Sequence, residues 1–308
     1  MTNPRNEQGM VLLLVLVVTT LLAVLLSELA FSTLVDLRLT ETFRDSTRAY
    51  HLAKGGVTVG RMALQMDRNS YDAAHHSAEY WAVGVQNMPV ADGFVSIEAV
   101  DLDGRLNLNR AVDELGNVNV VVRDRLLRLA ESVGITNPEQ MVAGLVDWID
   151  GDDDEQLAGA EERYYQTLPK PYHCKNAPLD TLDELLLVRG VEVEDLKRLK
   201  PHVTIFGDGK LNVNSASGEV LQAWDAEVRE DVVEGLVAMQ KEAPIESLSM
   251  LKEKLGVEAF SALNRQLDLA VTSRFYEIRS QALIGDGTST VTAVIDKTAN
   301  NLLMQKVN

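Results

Sequence analysis

The densest chemistry in this 308-residue chain is a run of carboxylates. Asp147-Trp-Ile-Asp150-Gly-Asp152-Asp153-Asp154-Glu155 puts six acids into nine residues, and Gly159-Ala-Glu161-Glu162-Arg-Tyr164-Tyr165 follows. Two like charges held 4 Å apart repel by about 4 kcal/mol at an effective dielectric near 20. A compact loop of this kind wants a hard divalent cation with oxygen ligands. Asp150, Asp152 and Asp154 fall at positions 1, 3 and 5 of an EF-hand count, and Glu161 at position 12. The sixth position is Glu155, where the EF-hand turn requires glycine. An irregular calcium site and a solvated acidic loop at a helix end are both open on the residues alone.

The other reactive side chains are sparse. Cys174 is the single cysteine, which excludes an internal disulfide and a Cys-rich metal cage. His75-His76 has no third ligand at metal spacing and reads as a solvated loop. No nucleophile or base is paired with the acids, so a hydrolase using them as general acid and base is disfavoured, and a non-enzymatic role is expected. The net charge of −17 opposes a polyanionic partner. Leu182–Leu199 resembles a helix-hairpin-helix element with Gly190 at the turn, but Glu192 stands where the second glycine should be. A membrane-anchored DNA-uptake or DNA-binding protein is therefore the alternative reading, with charge against it.

The elements that must position these residues begin with an unusual N-terminus. Met10–Ser27 carries no charge and, at about 1.5 Å per residue, spans roughly 27 Å, close to the hydrocarbon thickness of a bilayer. The leader MTNPRNEQG has one basic residue and ends in Gly9, with no small-x-small site after the apolar run, so an ordinary secretory signal fits poorly. Prepilin peptidases cut such a boundary, between Gly9 and Met10. One helix is expected over 10–66, with 10–27 in the membrane. Ala49, Leu52, Ala53, Gly56, Gly60 and Ala63 form its small-residue stripe, suited to close packing. A break at Gly55-Gly56 is the alternative.

Phe94–Val100, Phe275–Leu283 and Ser289–Asp296 read as strands, the last two joined by a Gly-Asp-Gly hairpin turn. Between them Arg123–Val133, Pro138–Ile149, Thr181–Arg189, Glu194–Leu199, Asp231–Lys241, Ile245–Leu255 and Glu258–Leu269 read as helices. The pattern predicts an α+β fold. Asp103-Gly-Arg-Leu-Asn-Leu-Asn109 returns 105 residues later as Asp208-Gly-Lys-Leu-Asn-Val-Asn214, suggesting two related structural modules.

Across essentially its whole length the chain resembles the K-type minor pseudopilins of bacterial type II secretion systems. The resemblance rests on Gly9-Met10 with its apolar helix, DGRLNLN, DWIDGDDD with GAEERYY, PLDTLDELLLVRGV, GKLNVNSAS and the terminal hairpin. It implies a pilin-like fold, with the long N-terminal helix on an antiparallel sheet and a large α-helical domain inserted. The implied division is a leader over 1–9, the helix over 10–66, the first part of the core over 67–109, the helical insert over 110–206, and a second module with the closing hairpin over 207–308. It also implies Met10 as the N-methylated mature end and a single inner-membrane pass with the globular part in the periplasm. The position would be at the tip of a pseudopilus, initiating and capping its assembly for export of folded proteins. Implied partners are the I-type and J-type minor pseudopilins, the major pseudopilin and prepilin peptidase. Calcium is implied at Asp147, Asp150, Asp152, Glu161 and Glu162, with Asn176 and Glu184, and the spacing adds Asp154 to the candidate ligands. Leu14 stands where most pilins carry the Glu that pairs with the neighbouring subunit's amine, which suits a subunit with nothing ahead of it. Some family members brace the helical domain with a disulfide, which lone Cys174 cannot do internally.

Overall fold

The computed structural model describes residues 4–74 and 79–308, with side chains from Gly9 onward; His75-His76 lies outside them. Helix α1 (Pro4–Met66) passes without a break through Gly55-Gly56 and already includes the end of the polar leader. Every Leu, Val and Phe from Met10 to Leu39 is exposed. The second half presents Ala49, Ala53, Val57 and Leu64, all buried, along one stripe. A Cβ on Gly60 would sit 2.9 Å from Ile278, and one on Gly56 would fall on the Ser280 hydroxyl. The two glycines are what let the helix backbone approach the sheet.

After α1 come α2 (Tyr80–Val83), β1 (Val85–Val90) and β2 (Gly93–Asp101). The chain then leaves the sheet for a long helical excursion. Its first part holds β3 (Leu106–Asn107), α3 (Val120–Ser132), α4 (Pro138–Ile149), α5 (Glu162–Tyr165), a 3-10 helix (Leu182–Leu187), α6 (Val193–Leu199) and β4 (Val203–Thr204). Its second part holds β5 (Leu211–Asn212), α7 (Gly218–Trp224), α8 (Glu230–Glu242), α9 (Leu248–Leu255), α10 (Val257–Leu263) and β6 (Leu269–Ala270). The chain returns as β7 (Phe275–Ile284), β8 (Gly287–Asp296) and β9 (Asn301–Val307). The five long strands form one antiparallel sheet in the order β1-β2-β7-β8-β9. This is the expected α+β fold, a long helix on an antiparallel sheet with a helical insert. One sheet face packs Ile97, Ile278, Val291 and Ile295 against α1, and the other carries Glu277, Arg279 and Thr292.

The two asparagine motifs do the same work. β3 pairs in parallel with β4, and β5 with β6. Asn109 Nδ2 donates to Leu179 O (3.0 Å) and Ile205 O (3.1 Å), while its Oδ1 accepts the Leu179 N–H (2.7 Å). Asn214 Nδ2 donates to Ile245 O (3.0 Å) and Val271 O (3.3 Å), and its Oδ1 accepts the Ile245 N–H (2.8 Å). Leu179 and Ile205 stand in the chain 66 residues before Ile245 and Val271, and so do Thr181 before Ser247, Leu185 before Leu251 and Gly190 before Gly256. The internal repeat thus extends beyond the heptapeptide to the segment that closes each module.

Several expectations change. The helical body is not confined to 110–206: Leu211, Leu221, Leu236, Leu251 and Leu269 bury into one continuous core with Leu129, Leu145 and Leu185. Residues 211–271 therefore belong to the insert, not to the sheet core. Thr181–Arg189 forms a short 3-10 helix, because Leu182, Leu185 and Val188 all turn inward and a three-residue turn aligns that spacing. Ile245 stays out of α9 because Asn214 holds its backbone. α10 stops at Leu263 because Leu269 joins β5. Strands β1 and β9 escape the sequence pattern: both are edges, and Pro89 is tolerated there. The helix-hairpin-helix reading fails at its phosphate position. The Glu192 N–H at the start of α6 is already taken by Asp195 Oδ2 at 3.0 Å, and a Cβ on Gly190 would lie 2.8 Å from Gln140.

A buried polar cluster joins body to sheet. Asp101 Oδ2 accepts from Ser273 Oγ (2.6 Å) and Asn212 Nδ2 (2.8 Å). Asp72 accepts from the Ser273 N–H and from Lys297 Nζ, both at 2.7 Å.

Candidate metal centre

Helix α4 delivers the acidic loop. Its amphipathic stripe buries Met141, Leu145, Trp148 and Ile149, so the chain leaves the core at Asp150, the residue that caps the helix. Trp148 packs edge-on against Tyr165, centroids 5.2 Å apart, which fixes where the loop must return. Asp147 organises that return: both its oxygens accept the Gln156 N–H at 3.2 Å. Gly159 is required there, since a Cβ would fall on the Asp147 carboxylate. Arg189 Nη1 donates to Gly159 O (2.6 Å) and lies 3.6 Å from Glu155.

Inside this frame three carboxylates converge. Asp150, Asp152 and Glu161 each offer an oxygen, all within 4.8 Å of one another. Asp150 Oδ1, both oxygens of Glu161 and Asn176 Oδ1 are buried without a hydrogen-bond partner among the described residues. Burial, then Asp152 and Asp147, pushes Asp150 up to about 7. Burial, then Asp147 and Asp150, pushes Glu161 up to about 7 as well. Burial raises Asp147 to about 6, with the Gln156 and Ala160 amides opposing. Orphaned hard oxygens converging without a cation are a donor set that a divalent ion would complete.

The other sequence candidates serve elsewhere. Asp147 faces loop amides. Asp154 is exposed, and its N–H is held by Asp152 Oδ1 at 2.9 Å. Glu162 braces the following strap, accepting from the Cys174 N–H (2.8 Å) and contacting His173 Nδ1 (2.7 Å). Glu184 caps the 3-10 helix, accepting from the Thr181 N–H (2.9 Å) and Lys175 Nζ (2.7 Å). Asn176 does reach the loop, its Nδ2 donating to Asp152 O at 3.1 Å. Burial pushes the Cys174 thiol up to about 12, which keeps it a neutral thiol. Sequence reading missed Arg189; it is the one cation between Lys175 and Lys197, a weak signal beside the other basic residues that follow the acids.

A bare apolar helix, continued as the spine of an antiparallel sheet that carries a helical insert, is the build of a membrane-anchored pilin-like subunit. The family model for type II secretion system (T2SS), protein K matches residues 104–208. The type II secretion system protein K of Klebsiella pneumoniae is 31% identical over 216 residues, 68% of this chain and 66% of that protein. The protein of the same name from Pseudomonas aeruginosa is 29% identical over 231 residues, 71% of this chain and 68% of that one. The aligned part thus covers about two thirds of these relatives' length. A chain of the crystallised GspK–GspI–GspJ complex from the enterotoxigenic Escherichia coli type 2 secretion system superposes with a TM-score of 0.68. It is 18% identical, and the match covers 90% of this chain and 99% of that one. The chain belongs to the type II secretion system protein K family.

Proposed function

We propose that this chain is a minor pseudopilin that starts and caps a pseudopilus, acting structurally rather than as an enzyme. The observation that carries this is the position of the helical body. It leaves the sheet after Asp101 and returns at Phe275, the end at which Gln65 Nε2 donates to Lys297 O (2.9 Å) near the close of α1. The bulk therefore lies at the opposite end from the apolar half of α1, where a further subunit would have to stack. Prepilin peptidase cuts between Gly9 and Met10, Met10 becomes the N-methylated end, and residues 10–27 make a single inner-membrane pass with the body in the periplasm. The solved relative was crystallised with GspI and GspJ, which supports I-type and J-type partners here; the major pseudopilin continues the filament below.

Calcium is the ion we assign to Asp150, Asp152, Glu161 and Asn176. It would supply positive charge to three carboxylates and stabilise the loop by mass action. Two experiments test the reading. Coexpression with prepilin peptidase followed by N-terminal sequencing should give a chain starting at Met10; a chain starting at Met1 overturns the processing. Purified with I-type and J-type partners, the protein should form a stoichiometric complex, and failure to do so removes the tip assignment.

A further inference from the structure

The open face of the sheet meets the helical body in a cleft of about 390 Å³. Its floor is apolar, with Leu102, Phe206 and Met304 in contact with the small cluster around Phe275 and Val294. Its walls carry four cationic side chains, Arg105, Lys200, Arg279 and Lys306, against the three side-chain carboxylates of Asp180, Asp183 and Glu277, a local positive excess in a chain whose net charge is −17. Lys200 and Lys306 share Asp183, at 3.5 and 3.9 Å, across the mouth from body to sheet edge. Arg105 and Arg279 differ from them. Among the described residues neither guanidinium makes a hydrogen bond or lies within 4 Å of a carboxylate, although Arg105 is half-buried. Burial pulls the Arg105 pKa down, with Glu277 opposing. A guanidinium carries five donors in a fixed fork matched to carboxylates, and here both forks are left to solvent and free to take one. Arg279, Thr292 and Lys306 stand opposite one another on three neighbouring strands, so the donors run across the sheet in a row.

We propose that this cleft docks an extended acidic segment of another protein, its carboxylates on Arg105 and Arg279 and an apolar side chain on the floor between them. A lipid headgroup does not fit the location. The cleft lies across the sheet from α1 at the level of Gly60, about 50 Å along the helix from the end of the apolar run at Ser27. Nucleic acid, a long polyanion that would extend beyond the cleft over a surface of net charge −17, does not fit either.

Fluorescence anisotropy on the full chain in detergent micelles tests this, with a labelled peptide of alternating leucine and glutamate. Saturable binding is expected, weakened at least tenfold when glutamine replaces glutamate in the peptide and at least tenfold in the Arg105→Ala/Arg279→Ala double variant. Arg265→Ala, at an exposed arginine outside the cleft that pairs with Asp225 and Glu227, should leave it unchanged. Arg279 is exposed, so Arg279→Glu alone keeps the test valid if the double variant unfolds. No saturable binding, equal affinity for the glutamine peptide, or unchanged binding by Arg279→Glu would each overturn the proposal.

Discussion

Glu161 sets the acid–base behaviour of the metal-free protein. Its carboxyl is raised to about 7 in the fold against about 4.3 in an unfolded chain. Ionisation is thus opposed only in the folded state. The contribution to stability is full at pH below about 4 and is lost as pH rises through about 7. Asp150 acts in the same direction. In EDTA, the melting temperature of the helical body should fall by about 4 °C or more between pH 5 and pH 8. Calcium should reverse that slope, since it binds the ionised form and releases protons. Glu161→Gln should flatten the slope and weaken calcium binding more than tenfold by calorimetry, whereas Glu184→Gln should leave calcium affinity unchanged. Spacing made Asp150 and Glu161 legible, but the outward turn of Asp154 depends on how Asp147 grips Gln156, which no local pattern records.

Whole elements are held by a few side chains that meet backbone. Asn214 ties β5 to the segment before α9 and to the residue after β6 through three hydrogen bonds. Asn214→Ala strands the Ile245 N–H and C=O in the core and should cost about 3 kcal/mol by denaturant unfolding. Asn109→Ala, at the less buried copy, should cost less. On α1 the close approach to the sheet rests on Gly56. Gly56→Leu should separate helix from sheet and abolish folding of the sheet core, read as loss of near-ultraviolet circular dichroism from the Trp81–Tyr276 pair, whose rings are 5.0 Å apart. The heptapeptide echo was legible because its residues are adjacent and nearly identical. Its partners were not, because the matching 3-10 and α-helical segments share only the inward leucines and the glycine that ends each.

Among the described residues there are two large apolar cores, with a small third cluster of Leu102, Phe206, Phe275, Val294 and Met304 at their junction. One lies between α1 and the sheet, the other runs through both helical modules. Apart from that small cluster they meet through the buried polar cluster of Asp72, Asp101, Asn212, Ser273 and Lys297. Hydrogen bonds couple two bodies less strongly than a shared apolar core does. Differential scanning calorimetry should therefore resolve two transitions, and calcium should move only the one belonging to the helical body. A single transition shifted as a unit would contradict that division.

An uncharged stretch of eighteen residues at Met10–Ser27, the excess of acids and the alternation of the long strands are additive local properties. They were sufficient to define a membrane-anchored, acidic α+β protein. The outward turn of Asp154, the fusion of both modules into one body and the meeting of Arg105 from the body with Arg279 from the sheet in one cleft belong to the tertiary structure alone. The last two depend on residues tens to hundreds of positions apart, and only packing fixes which of them face one another.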